Sequence, residues 1–203
     1  MTVYAFTSMK ILGTTRLTLR EFSEDDAGFY LRLVNEPSWL RFIGDKGVRT
    51  LDDARAAIRN GPIAMRARYG FGLYLCALSG SGVPIGMCGL IKRDTLPETD
   101  LGFAFLPEYW GQGYAIEAAR AVMEHAHTQC GLSGLLAIVK PDNLASIRLL
   151  ERLGMTWEQE LLLAPGAEPV SLYAYRFERP DHGRPSDASA SARQGARLVG
   201  SDR

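Results

Sequence analysis

The sequence predicts an α/β fold of the α+β kind. The expected architecture is a mixed and mostly antiparallel central sheet of about seven strands with helices on both faces, in the order β-α-α-β-β-β-α-β-α-β-β. Three observations predict it. Apolar and polar residues alternate over short segments bounded by turn residues. Hydroxyl–acid capping pairs open longer segments between them. A turn bearing Gly111 and Gly113 then joins an apolar strand directly to a helix.

Taken in order, residues 1–14 carry no clear period and read as an N-terminal lead-in. Leu17 and Leu19 alternate with Arg16, Thr18 and Arg20, which predicts a strand over 15–22 with one buried face. Ser23 with Asp26 opens a helix to about Asn35, and Trp39, Phe42 and Ile43 follow in a loop that ends at Gly44 and Gly47. Thr50 with Asp53 starts a second helix, which Gly61 and Pro62 stop. Strands over 72–78 and 84–91 flank Ser79, Gly80, Ser81 and Gly82, a hairpin turn by composition. A third strand spans 100–106, and the glycine turn leads into a helix over 114–130 closed by Gly131. A short strand over 135–140, a helix from Asp142 or Asn143 to Leu153, and strands over 156–162 and 170–178 follow. They complete one domain over residues 15–179. From Pro180 the chain consists of Pro, Gly, Ser, Ala and Arg with almost no large apolar residue, which predicts a disordered or loosely attached tail over 180–203.

Composition narrows the function. With 203 residues, 46% of them apolar, the chain can bury a core of ordinary size. Lys and Arg number 23, as do Asp and Glu, so the electrostatic term that nucleic-acid binding requires is missing. Cys76, Cys88 and Cys130 are odd in number and lack metal-ligand spacing, which argues against disulfides and against a metal site. No apolar segment approaches membrane-spanning length, and no secretory signal opens the chain. A cytoplasmic protein with no membrane partner is the expectation.

The stretch over 105–115 is the most informative. An apolar strand runs into an aromatic corner, and Gly111, Gly113 and Ala115 then alternate into the start of a helix. Small residues leave the main-chain N–H groups uncovered where a helix N-terminus adds partial positive charge, an arrangement suited to a phosphate-bearing cofactor. A Gly-x-Gly pair is also found in plain tight turns. No Gly-Lys-Ser/Thr follows, so this is no Walker loop, and a third glycine for a dinucleotide fingerprint is missing. A second constellation lies at Asn143 and Ser146. Asn143 reads as a helix cap, and the two residues, three apart, also share a face on which both could meet one extended ligand.

Residues 105–115, the order of elements, and Asn143-x-x-Ser146 on a helix ending in Gly154 and Met155 together resemble the GCN5-related N-acetyltransferase (GNAT) superfamily. The resemblance covers roughly residues 15–179 and is nearest to the branch of ribosomal-protein N-terminal acetyltransferases (RimJ/RimL-like). It implies an acetyl-CoA-dependent acyltransferase of GNAT fold that releases coenzyme A and uses no metal. The diphosphate of the cofactor would rest on the N–H groups of Gln112, Gly113, Tyr114 and Ala115. Its pantetheine arm would pass as a pseudo-strand beside Phe105 and Leu106, with Asn143 and Ser146 in contact with it. One position departs from the superfamily pattern: the residue opening the corner, often Gln or Arg, is Trp110.

The implied reaction is direct attack of a neutral amine on the thioester, with no acyl-enzyme. A protein α-amino group titrates about two units below a lysine and needs less help to lose its proton. The resemblance implies the Leu106 N–H as oxyanion donor. Asp100, which opens the strand leading to the corner, is the candidate base, with Glu98 in reserve. The position where many relatives carry a proton-donating tyrosine is Leu150 here, and Ser146 is the candidate donor to the leaving thiolate. Trp39, Phe42 and the loop to Gly47, the segment Tyr69–Phe71 and the loop over 163–170, with Glu36, Asp45 and Glu168, are expected to build a pocket for a cationic amine, either a small molecule or a protein N-terminus. A homodimer is possible in this architecture. The competing reading is a binding module: a catalytically weak domain that senses acetyl-CoA or holds a partner.

Overall fold

In the computed structural model, which describes residues 10–178, eight strands form one sheet in the order β1-β2-β3-β4-β5-β6-β8-β7. They are β1 (Lys10–Gly13), β2 (Leu17–Arg20), β3 (Leu73–Leu78), β4 (Pro84–Ile91), β5 (Asp100–Phe105), β6 (Gly134–Val139), β7 (Thr156–Leu161) and β8 (Val170–Arg176). Every neighbouring pair is antiparallel except β5 and β6, which run parallel and share a single bridge, Asp100 opposite Leu136. The eighth strand is β1. It lies within the expected lead-in, where four residues are too few to show a period, and it is specified by pairing Leu12 with Leu19. The predicted tail over 180–203 lies outside the described residues.

Helices cover both faces. The helices α1 (Ala27–Val34), α2 (Pro37–Phe42) and α3 (Leu51–Ile58) lie on one face, where Leu33, Trp39, Ala54 and Ile58 pack with Leu75, Met87 and Leu106, and α4 (Ala64–Tyr69) leads into β3 with Tyr69 packed against the opposite core. On the other, α5 (Tyr114–Thr128) and α6 (Leu144–Arg152) bury Ala118, Val122 and Leu150 against Tyr74, Cys88, Leu101 and Phe105. Alternation along β5 follows: Leu101, Phe103 and Phe105 face α5, whereas Ala104 and Leu106 face the α1–α3 layer.

Two expected boundaries differ. Pro37, at the first turn where a missing N–H costs nothing, starts α2 inside the expected loop, and the N–H groups of Ile43 and Gly44 close it on the Trp39 carbonyl. Gly61 and Pro62 do not stop the second helix. The chain widens into a π-helical turn, Arg59–Ile63, in which Ala64 N–H reaches back five residues to Arg59, and helix continues to Tyr69. The wider turn makes room for the proline ring within a continuous helical path.

A buried bidentate pair ties the helical layer to the sheet. Arg20 donates to both oxygens of Asp26 at 2.8 and 2.7 Å, and the same carboxylate accepts from Ser23 N at 2.8 Å. The register of β3 and β4 is locked by close approach. A Cβ on Gly89 would lie 2.2 Å from the Gly72 carbonyl oxygen and 2.7 Å from Leu73 Cα, both main chain. Gly89→Ala is therefore expected to destabilise the fold by about 3 kcal/mol, measured by urea denaturation. A loss below about 0.5 kcal/mol, the range of neutral surface changes, would contradict this register.

Candidate active site at the parting of two parallel strands

Because β5 and β6 touch only at Asp100 and Leu136, they part toward their C-terminal ends. Ladder geometry shows which peptide groups line the gap. Leu106 N–H donates to Ile85 O at 3.0 Å, so Leu106 and the residues two and four before it turn their polar groups to β4. Phe103 and Phe105 turn theirs to the gap. This corrects the expected role of Leu106: its N–H is committed to the β4 ladder and is no oxyanion donor. The N–H groups of Phe103 and Phe105 face the gap instead.

At the open end of the gap stands the glycine turn. Gly111 and Gly113 have φ of +71° and +83°, conformations a side chain would strain, and they swing the chain from β5 into α5. Gly113 is the N-cap and supplies no side-chain cap. The first helical bond of α5 is Glu117 N–H to Gly113 O at 3.1 Å. The N–H groups of Gln112, Gly113, Tyr114 and Ala115 therefore have no protein acceptor among the described residues. Four such donors in succession at the start of a 15-residue helix form an anion seat. Trp110 is 53% exposed, yet its indole N–H donates to Phe105 O at 2.7 Å.

Across the gap, Asn143 caps α6, its side-chain oxygen accepting from Ser146 N at 3.2 Å. The cap and the ligand readings of Asn143 are compatible, since the amide nitrogen has no partner among the described residues. Ser146 Oγ is likewise unpartnered and half-buried. Leu150 is buried in the core under α6.

The carboxylates part company. Asp100, 1% exposed, lies at the closed end of the gap and is paired with Arg93 at 3.1 Å. Burial pushes its carboxyl above the ordinary range, with Arg93 opposing. Glu98 lies beyond that end, where it accepts from Arg176 at 2.8 Å on the side away from the glycine turn. This pair is exposed, and it engages the carboxylate that stood in reserve as a base.

The expected amine pocket is also redrawn. Strand β3 runs parallel to β5, so Tyr69 and Phe71, which precede β3, lie at the end of the sheet opposite the glycine turn and pack in the α5-side core. Glu36, Asp45 and Glu168 are each paired with a cation: Arg32, Arg49 and Lys140 respectively. What the structure does bring to the gap is α2, through Arg41 and Asp142 at 2.9 Å, and the β7–β8 loop, through Lys140 and Glu168 at 2.6 Å. Trp39 on α2 is buried with no partner for its indole N–H among the described residues. Burial raises the thiols of Cys76, Cys88 and Cys130, which leaves little thiolate for nucleophilic work. His125 packs on Tyr74 and His127 on Phe177, toward the far end of α5.

Sequence reasoning missed a cluster behind the turn. Glu117, in the first turn of α5, accepts from Thr14 Oγ1 at 2.5 Å, Arg16 N at 2.9 Å and Arg16 Nε at 2.7 Å. Arg16 Nη1 in turn donates to Gln112 O at 2.9 Å. A signal was present: an acid beside an expected anion seat requires a cation close by. Burial raises the Glu117 carboxyl, but the hydrogen bonds from Thr14 and Arg16 outweigh it and hold the group below its ordinary range.

A profile described as acetyltransferase (GNAT) domain matches residues 16–156. The protein YkkB of Bacillus subtilis is 27% identical over 165 residues, 80% of this chain and 93% of that one. The crystal structure of an acetyltransferase from Agrobacterium tumefaciens matches with a TM-score of 0.70 at 28% identity, covering 86% of this chain and 96% of that chain. RimL, a ribosomal L7/L12 alpha-N-protein acetyltransferase solved in complex with coenzyme A, shares the fold. Its TM-score is 0.69 at 19% identity, covering 83% of this chain and 98% of that chain.

The depressed Glu117 carboxyl predicts a pH effect of defined sign. Its stabilisation is present above the ordinary carboxylate value of about 4.3 and is lost as pH falls through the lower folded value. The stability gap between wild type and Glu117→Gln should thus be widest near neutrality and close in acid. Urea unfolding across that range measures it, and a gap independent of pH would refute the ion-pair account.

Proposed function

The chain belongs to the acetyltransferase (GNAT) family, and we propose that it transfers an acetyl group from acetyl-CoA directly to a primary amine. The observation that carries this reading is the row of unpartnered N–H groups from Gln112 to Ala115, standing at the mouth of a gap between parallel strands. A diphosphate fits those donors, and an extended amide-bearing arm fits the free peptide edge of Phe103 and the N–H of Phe105, whose carbonyl is held by Trp110. Acetyl-CoA, when bound, supplies an activated acyl group and a thiol as leaving group.

The chain's own residues then have defined tasks. Asn143 donates its free amide N–H groups to a carbonyl of the arm while its oxygen holds the α6 N-terminus. Phe103 N–H, deeper in the gap than Phe105, offers the developing oxyanion a donor from the gap edge. The gap runs from Phe105 to Asp100, about 17 Å at roughly 3.3 Å per residue, so the reacting end lies toward the closed end where Asp100 sits. There Asp100, with its affinity for protons raised by burial, accepts the proton of the attacking amine directly or through water. Ser146 Oγ passes its proton to the thiolate as it takes one from water, so that the hydroxyl is restored. Positioning supplies the rest of the acceleration, because a neutral amine is already a competent nucleophile.

The acceptor enters from the α2 side, where the orphaned Trp39 N–H can donate to a carbonyl next to the amine. A protein N-terminus has such a carbonyl and the lower amine pKa, and the fold shared with RimL adds support for that class over a lysine side chain. The competing reading, a sensor that binds acetyl-CoA without turnover, draws on the burial of Leu150 at the tyrosine position.

Release of free thiol from acetyl-CoA over a panel of amines and N-terminal peptides separates the two. Turnover is expected; tight binding without turnover across the panel would favour the sensor. Asn143→Ala should weaken acetyl-CoA binding about tenfold, the loss of a hydrogen bond or two, and an unchanged Kd would remove Asn143 from the site. With Asp100 as base, kcat rises with pH through its folded pKa, above the usual carboxylate range. Asp100→Asn should lower kcat about a hundredfold and abolish that limb, and a variant retaining the limb would clear Asp100 of the role.

A further inference from the structure

The turn that seats the anion carries no side-chain cation. Residues 110–115 are Trp, Gly, Gln, Gly, Tyr and Ala. The turn's side-chain nitrogens are already engaged: the Trp110 indole N–H on Phe105 O, and the Gln112 amide nitrogen on Glu108 O at 2.9 Å. A cation that touches the turn comes from the far side of the sequence. Arg16 immediately precedes β2, and its guanidinium contacts Gln112 and Tyr114 and stands over the Gly113 between them. Nη1 donates to Gln112 O at 2.9 Å, Nη2 lies 3.3 Å from where a Cβ of Gly113 would be, and Cζ stands 4.5 Å from the centre of the Tyr114 ring.

Building on the acetyltransferase reading, we infer that Arg16, held by Glu117, is the positioning residue of the diphosphate seat. Main-chain N–H groups face an anion only if the intervening carbonyls are turned away. The Gln112 carbonyl is the one that would oppose the ligand, and Arg16 ties it back. Glu117 in turn fixes the guanidinium by accepting from Nε at 2.7 Å and lying 2.6 Å from Nη2. Thr14 Oγ1 and the Arg16 N–H complete the carboxylate's shell, at 2.5 and 2.9 Å. The loop before β2 and the first turn of α5 thus form one clamp across about a hundred residues of sequence, and the glycines at 111 and 113 acquire a single conformation from it.

Positioning and plain charge attraction make opposite predictions. Glu117→Gln removes a negative charge beside the seat, so attraction alone would tighten anion binding, whereas loss of the clamp weakens it. Arg16→Lys keeps the charge and loses the planar fork, so attraction predicts rescue and positioning predicts none. The test is calorimetric titration of the full chain at neutral pH with acetyl-CoA and with S-acetylpantetheine, which lacks the diphosphate. Wild type that binds neither compound overturns the acetyltransferase reading, and the clamp's role with it.

Given wild-type binding, Arg16→Gln, Arg16→Lys and Glu117→Gln should each lose about tenfold in acetyl-CoA affinity while S-acetylpantetheine affinity stays within about twofold. Equal losses on both compounds would show a general unfolding of the site and overturn the inference. So would tighter acetyl-CoA binding by Glu117→Gln, or wild-type affinity in Arg16→Lys. Should Arg16 variants fail to fold by circular dichroism, Thr14→Val loosens the same carboxylate more gently and must show the same selective loss, smaller in size.

Discussion

Peptide groups that face a neighbouring strand need partners, and in a parallel pair that meets at one bridge most of them have none. Strands β5 and β6 are such a pair. Past Asp100 and Leu136 the two chains diverge, and the polar edge of Phe103 and the N–H of Phe105 open onto a gap. Leaving a buried peptide donor or acceptor unpaired costs about 1–3 kcal/mol, so the divergence is a standing penalty on the fold that a ligand with its own amide groups can offset. The remaining pieces of the site are arranged around that gap. The glycine turn lies at its mouth, Asn143 and Ser146 on one bank, α2 over the other, and Asp100 where it closes.

The sheet does not part by accident of packing. On both sides of the gap the ladders are tight: β4 holds β5 through Leu106 and Ile85, and β8 holds β6 over six residue pairs. Gly86 and Gly89 let β4 lie against its neighbours at distances a Cβ would forbid. With each strand secured on its outer side, neither can swing to close the gap. The site is preorganised by pairing elsewhere in the sheet, and α5 and α6 pack on the same core that fixes β5. Electrostatics follow the same plan. The α5 N-terminus is left uncapped for a ligand, while the acid in its first turn is neutralised from behind by Arg16.

The glycine turn, the strand before it and the helix after it were legible in the sequence because each is a local device. Small residues expose donors, alternation marks a strand, and a capping pair marks a helix start. The same holds for the Asn143 cap. Where local signals were weak or ambiguous, the reading went astray: β1 is too short to show a period, and Pro62 ends most helices but here sits in a π-helical turn. Tyr69 and Phe71 carry the right chemistry for a pocket wall, yet both pack into the α5-side core.

By itself, then, the sequence determined the fold class, the glycine turn that leads from strand to helix and the residues flanking it, since all of these depend on spacings within a few residues. Only the tertiary structure decided which peptide groups are free and which acids are. Leu106 N–H is committed to β4, Glu98 to Arg176 and Glu117 to Arg16, through partners between 21 and 101 residues away in the chain. Availability of a donor or a base depends on the neighbour that folding brings to it, and no local pattern records that neighbour.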